Sequence, residues 1–184
     1  KLIMKNYVIA LGFKGKLYKD ILTAWKILEN KMNIKYMSTD HALPHITIVA
    51  GKTNNIEEIY KVLNKVKIKK FKLKSPGLGI FANQDPNLYI RWEQSLDLVN
   101  ISNLIINKTS KYFETKYQSS DNSLWVPKTT LAWQDLNYKD LNLVFKKINF
   151  IFKKSLVVID YIYLIDFTHK ELITHKIKLQ QNHK

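Results

Sequence analysis

The order strand, helix, strand, helix, strand runs twice along this 184-residue sequence, and that recurrence restricts its folds more than any composition does. Asn6 to Leu11 reads as a buried strand, and Leu17, Ile21, Leu22, Trp25 and Leu28 then fall at helical spacing. His45 to Val49 reads as a second strand. Ile56, Ile59, Tyr60, Leu63 and Val66 mark a second helix, with Thr53 or Asn54 as caps, and Ile68 to Leu73 alternates lysine with apolar residues. Ser75-Pro76-Gly77 closes this half.

The same order then returns. Leu88 to Trp92 is a strand. Leu98, Ile101, Ile105 and Tyr112 share a face of a helix starting near Ser95, and Lys128 to Ala132 is the next strand. Leu141, Val144, Phe145 and Ile148 mark a short helix, Leu156 to Ile165 a strong strand, and Ile173 to Leu179 a closing strand. His45 lies 36 residues after Ile9, and Lys128 lies 38 after Ile90. The expectation is an α+β fold, one domain over 1–184, in duplicated β-α-β-α-β halves (about 1–80 and 81–184) with pseudo-two-fold symmetry. Under that symmetry the segments at His45 and Lys128 face each other near the axis.

What those segments carry is specific. On a strand, residues i and i+2 project to one side, so His45 and Thr47 point together, as do Lys128 and Thr130, with Ile46 and Thr129 turned away. An imidazole, an ammonium and two hydroxyls in one cleft suit phosphate esters. The hydroxyls of Thr47 and Thr130 supply donors to non-bridging oxygens, and a histidine can move a proton near neutrality. No metal or other cofactor is needed by this set. The histidines at 41, 45, 169, 175 and 183 are scattered, and Leu43-Pro44 argues against a helix that would pair His41 with His45.

Pro44-His45-Ile46-Thr47 and the stretch Leu124 to Ala132, with Pro127-Lys128-Thr129-Thr130 at its centre, resemble the two motifs of the two-histidine phosphoesterase superfamily, whose members include bacterial 2′–5′ RNA ligases and cyclic nucleotide phosphodiesterases. The resemblance spans essentially the whole chain, closing hairpin included. It implies mainly antiparallel sheets forming a central cleft with helices outside. It also implies a metal-independent reaction on RNA 2′,3′-cyclic phosphates or 2′–5′ phosphodiester linkages, with one histidine as base and the other as acid. The partners implied are RNA ends, 2′–5′ oligonucleotides or cyclic nucleotides. The chain departs from the pattern at its second histidine, which is Lys128. A free lysine is protonated at neutral pH, so it can hold phosphate or donate a proton, but it serves as a base only where burial or nearby cations lower its pKa. The expected enzyme therefore uses His45 as base and Lys128 as acid or electrostatic clamp. The alternative is a catalytically impaired RNA- or nucleotide-binding module of the same fold.

Trp125 stacks on a base or anchors the core, and both readings stand. Tyr89 and Arg91 share a strand face and are candidates for substrate contact, although a structural ion pair suits Arg91 equally. Trp92 and Trp133 are expected in the core. The lysines from 65 to 74 read first as a solvated strand edge and second as an RNA-tracking stripe. His169 and His175 have no evident partner.

Thirty basic residues against fifteen acidic ones, a formal charge of +15, favour polyanionic partners. Only Arg91 is an arginine, and Asn and Ile are abundant, a skew that an AT-rich genome also produces. The absence of cysteine excludes disulfides and thiolate metal sites. The run from Leu156 to Ile165, interrupted by Asp160, is too short to span a bilayer, and no charged-then-apolar leader precedes Asn6. The sequence begins at Lys1 rather than Met, which leaves room for residues before it. A soluble, cytoplasmic monomer without membrane contact is expected.

Overall fold

The computed structural model describes residues 4–38, 42–117, 125–152, 155–169 and 171–181. Nine strands and four α-helices alternate along them: β1 (Lys5–Phe13), α1 (Lys16–Met32), β2 (His45–Thr53), α2 (Ile56–Asn64), β3 (Phe71–Ser75), β4 (Gly77–Phe81), β5 (Asn87–Arg91), α3 (Leu96–Thr109), β6 (Thr115–Lys116), β7 (Lys128–Ala132), α4 (Leu141–Ile148), β8 (Ser155–Asp166) and β9 (Leu172–Lys178). The larger sheet runs β3-β8-β1-β2-β6, with β9 also on β8, and the smaller runs β4-β5-β7. Every pairing between these strands is antiparallel. The fold is α+β, with antiparallel sheets as expected.

The two runs of elements interlock. The twelve residues of β8 exceed what one partner can cover, so its first five pair with β3 and the rest lie between β1 and β9. Strand β4 begins at Gly77, where the sequence suggests only a closing turn at Ser75-Pro76-Gly77, and it pairs with β5. Thus β1 sits between β2 and β8, and β5 sits between β7 and β4. In the larger sheet the second neighbour of β1 comes from the other end of the chain, whereas β4 and β5 of the smaller sheet are consecutive strands.

Strand β1 is buried along seven consecutive residues because both its faces are covered. Ile9, Leu11 and Phe13 join the main core with Ile46, Ile162 and the apolar stripe of α1. Val8 and Ala10 face the other way, into a smaller cluster with Ala50, Tyr163 and Ile165. Leu17, Ile21, Ala24, Trp25 and Leu28 form the inward stripe of α1 at the helical period. Asn33 then ends the helix in the left-handed conformation (φ 55°), its N–H reaching the Glu29 and Leu28 carbonyls. Trp92, just past β5, meets Phe13 of β1 edge-on at 5.6 Å, joining the cores of the two sheets.

Helix α3 starts where Ser95 predicts, the Ser95 hydroxyl accepting from Leu98 N–H at 3.3 Å. Other local expectations are corrected. The residue before α2 is Asn55 rather than Thr53 or Asn54. Thr53 is fully buried, its hydroxyl donating to the Tyr112 carbonyl at 2.6 Å and accepting from Asn55 N–H at 2.9 Å. Phe145 lies on the exposed side of α4, because Leu141, Val144 and Ile148 fill its inward face. Among the described residues no helix is long and apolar enough to cross a membrane.

Candidate active site

Strands β2 and β7 belong to different sheets, yet they lie against each other. Near His45, β2 has β1 on one edge only, since β6 begins to pair on the other edge at Gly51. The exposed carbonyls on that free edge need donors, and side chains supply them. Thr129 donates to the His45 carbonyl at 2.9 Å and accepts from Trp92 Nε1 at 3.0 Å. Two residues along, Trp125 Nε1 donates to the Thr47 carbonyl at 2.9 Å. These two fastenings hold the motif strands side by side, as the symmetry argument requires. Thr129 and Ile46 point inward and are buried.

His45, Thr47, Lys128 and Thr130 consequently line one cleft of about 1360 Å³. The His45 ring is oriented from below: Nδ1 lies 2.8 Å from the Leu43 carbonyl, which has no proton to give, so Nδ1–H is the donor. That leaves Nε2 as the proton-accepting nitrogen. Across the cleft, Lys128 Nζ donates to Thr130 Oγ1 at 3.2 Å, which frees the Thr130 proton for a ligand. The ammonium also stands 5.9 Å from the centroids of both Phe81 and Tyr89, whose rings pack at 4.7 Å. Burial pushes Lys128 below the ordinary lysine range. Among the described residues no carboxylate pairs with it.

The other sequence candidates lie elsewhere. Tyr89 is buried beside Phe81, Arg91 is exposed at the end of β5, and neither lines the cleft. Trp125 is half-buried, with its N–H committed to β2, and it too is off the cleft wall. Trp133, expected in the core, is instead 38% exposed on the cleft wall, edge-on to Tyr36 at 5.6 Å. The turn after β7 puts it there: Gln134 takes a positive φ of 59°, and Asp135 caps the Lys35 and Tyr36 N–H groups at 2.7 and 2.9 Å. His169 and Glu171, in the hairpin between β8 and β9, complete the far wall. His175 is outside the cleft, against the Tyr60 ring and 3.3 Å from Glu57. Strand periodicity cannot reveal such loop contributions, because only the folded chain brings the hairpin over β2. His41 and the stretch from 118 to 124 fall outside the described residues. Among the described residues no cluster of three His, Asp or Glu side chains could hold a metal ion.

No family model matches the sequence, and no curated protein does. Solved structures do match in fold. LigT of E. coli, in a complex with 3′-AMP, is 11% identical with a TM-score of 0.63, over 97% of this chain and 100% of that one. TT0787 of Thermus thermophilus is 10% identical with a TM-score of 0.66, over the same shares of the two chains. A structure described as a phosphoesterase is 11% identical with a TM-score of 0.60, again over 97% and 100%. Across nearly its whole length, the chain has the LigT-like fold that its two paired strand motifs resemble.

Proposed function

We propose that this protein is a phosphodiesterase that opens RNA 2′,3′-cyclic phosphates or cleaves 2′–5′ linkages without a metal, with Lys128 in the place of a second histidine. The observation that carries the reading is the opposition of His45 and Lys128 in one cleft. The histidine has its Nε2 left free, and the lysine is half-buried with no carboxylate among the described residues to neutralise it.

In hydrolysis of a cyclic phosphate, a water oxygen attacks phosphorus and its proton passes to His45 Nε2. The bond from phosphorus to one ribose oxygen breaks, and Lys128 Nζ gives that oxygen a proton. Thr47 and Thr130 donate to the non-bridging oxygens as charge builds there. A lysine with a lowered pKa is a better proton donor than an ordinary one, so burial favours this assignment. The fold shared with LigT, which was solved with 3′-AMP, supports a nucleotide in the cleft.

The test is hydrolysis, in excess chelator, of short RNAs ending in a 2′,3′-cyclic phosphate and of 2′–5′-linked oligoadenylate. Activity is expected in the protein as it stands and lost in His45→Ala. Silence in the natural chain, with activity appearing in Lys128→His, would reverse the assignment and make the chain a nucleotide-binding module.

A further inference from the structure

The cleft is not where the surplus positive charge collects. Its wall carries four carboxylates, Glu29, Asp85, Asp135 and Glu171, beside Lys35 and Lys128. A long polyanion is therefore not favoured within the cleft beyond its reacting end. The larger sheet offers it another course.

Directly opposed residues on paired strands project to the same face. Register across four strands gives one row of Thr47, Ala10, Tyr163 and Lys176, and a second row of His45, Gly12, Tyr161 and Lys178. The intervening residues Leu11, Ile46, Ile162 and Ile177 all lie in the main core on the opposite face. His45 and Tyr161 are therefore on one face with only β1 between them, about 10 Å apart across the sheet. At Gly12 nothing rises from β1, and the Tyr163 ring lies over it. Tyr161 stacks parallel to Tyr163 at 5.8 Å and remains partly exposed. Lys176 Nζ rests 4.0 Å from the Tyr161 ring centroid and Lys14 Nζ 5.0 Å from it. Asp160, next along β8, is paired with Lys70 at 2.7 Å. Past the β8 bulge, Lys72 and Lys74 of β3 lie opposite the exposed Val158 and Leu156.

We propose that this strip, centred on Tyr161 with Lys14, Lys176 and Lys178, binds the body of a single-stranded RNA whose end occupies the cleft. The inference rests on the reading of the cleft as a site for an RNA end, and it says where the rest of that RNA lies. An ammonium resting on a ring is loosely held; a phosphate draws it away and leaves the ring face to an unstacked base. Aromatic and basic side chains side by side on one surface meet both needs of a single strand, stacking and backbone neutralisation.

The test compares two ligands on the full chain: 3′-AMP, which reaches only the cleft, and a labelled single-stranded RNA of about eight nucleotides, within the length one such surface covers. Lys176→Glu is expected to weaken the RNA about ten-fold or more and to lower its salt slope by about one for each phosphate no longer neutralised. Tyr161→Ala is expected to weaken it about five- to a hundred-fold by removing the stacking ring. Affinity for 3′-AMP stays unchanged in both. The strip is refuted if RNA affinity does not move, if 3′-AMP falls in step, or if duplex RNA loses as much as the single strand. Absence of turnover on every cyclic phosphate would sink the reading of the cleft, while these binding ratios still decide the strip.

Discussion

The hydroxyl of Thr129 donates to the main-chain carbonyl of His45 at 2.9 Å, so the residue between the two cleft-facing positions of β7 is the clasp that positions β2. The same hydroxyl accepts from the buried Trp92 indole. Thr129→Val keeps the shape and removes both bonds, leaving a buried N–H and a carbonyl unpaired. The expected cost is about 1–3 kcal/mol of stability, read from urea unfolding. A loss of turnover beyond that of a surface threonine variant is expected too, because His45 and Lys128 are no longer held together.

Lys128→Arg separates charge from proton transfer. Arginine keeps the cation beside Phe81 and Tyr89 but does not give up a proton at any working pH. Binding of 3′-AMP is expected to change little, while hydrolysis falls by about 10²- to 10⁴-fold, the usual worth of a general acid. Near-normal turnover in this variant would make Lys128 an electrostatic clamp and not an acid.

Lys128 also leaves a mark on stability. Burial lowers its pKa in the folded chain, so between that lowered value and the ordinary 10.5 the unfolded chain holds the extra proton. Stability from this residue therefore rises with pH through that window, and the cost of burying the charge is greatest below it. Lys128→Met is expected to raise the melting temperature at pH 7. The gain should shrink as the pH approaches 10.5. A lower melting temperature at pH 7 would show that contacts with Thr130 and the two rings outweigh desolvation.

A methyl group at position 12 would enter the Tyr163 ring. Gly12→Ala should cost about 1–3 kcal/mol by overpacking. Combining it with Tyr163→Leu should return part of that loss, a coupling that a double-mutant cycle of unfolding energies measures. Additive losses would mean that the cost of the methyl group does not arise at the Tyr163 ring.

The strands and helices were legible wherever one period dominated. The stripe of α1 and the Ser95 cap each depend on side chains a few residues apart, and the structure places them as the sequence suggests; the alternating strand expected from Ile68 to Leu73 forms later, as β3 from Phe71 to Ser75. The caps of α2 and the side of Phe145 were not legible, because tertiary contacts chose among equivalent local options. Thr53 went to the Tyr112 carbonyl, and α4 had only a narrow face to cover. Trp133 looked like a core residue by type, but Asp135 ties the turn after β7 to Lys35 and Tyr36 and turns the indole to the cleft.

What the sequence determined by itself was the pair of strand motifs and their alternation: a period of two on a strand is enough to put His45 with Thr47 and Lys128 with Thr130. What only the tertiary structure decided was how those strands meet and what surrounds them. The pairing of β8 with β1, the clasp from Thr129 to His45, and the row that puts Tyr161 on the same sheet face as His45 all join residues far apart in sequence. Strand register across a sheet depends on long-range packing and on bulges that shift a strand by one residue, and no local pattern carries that information.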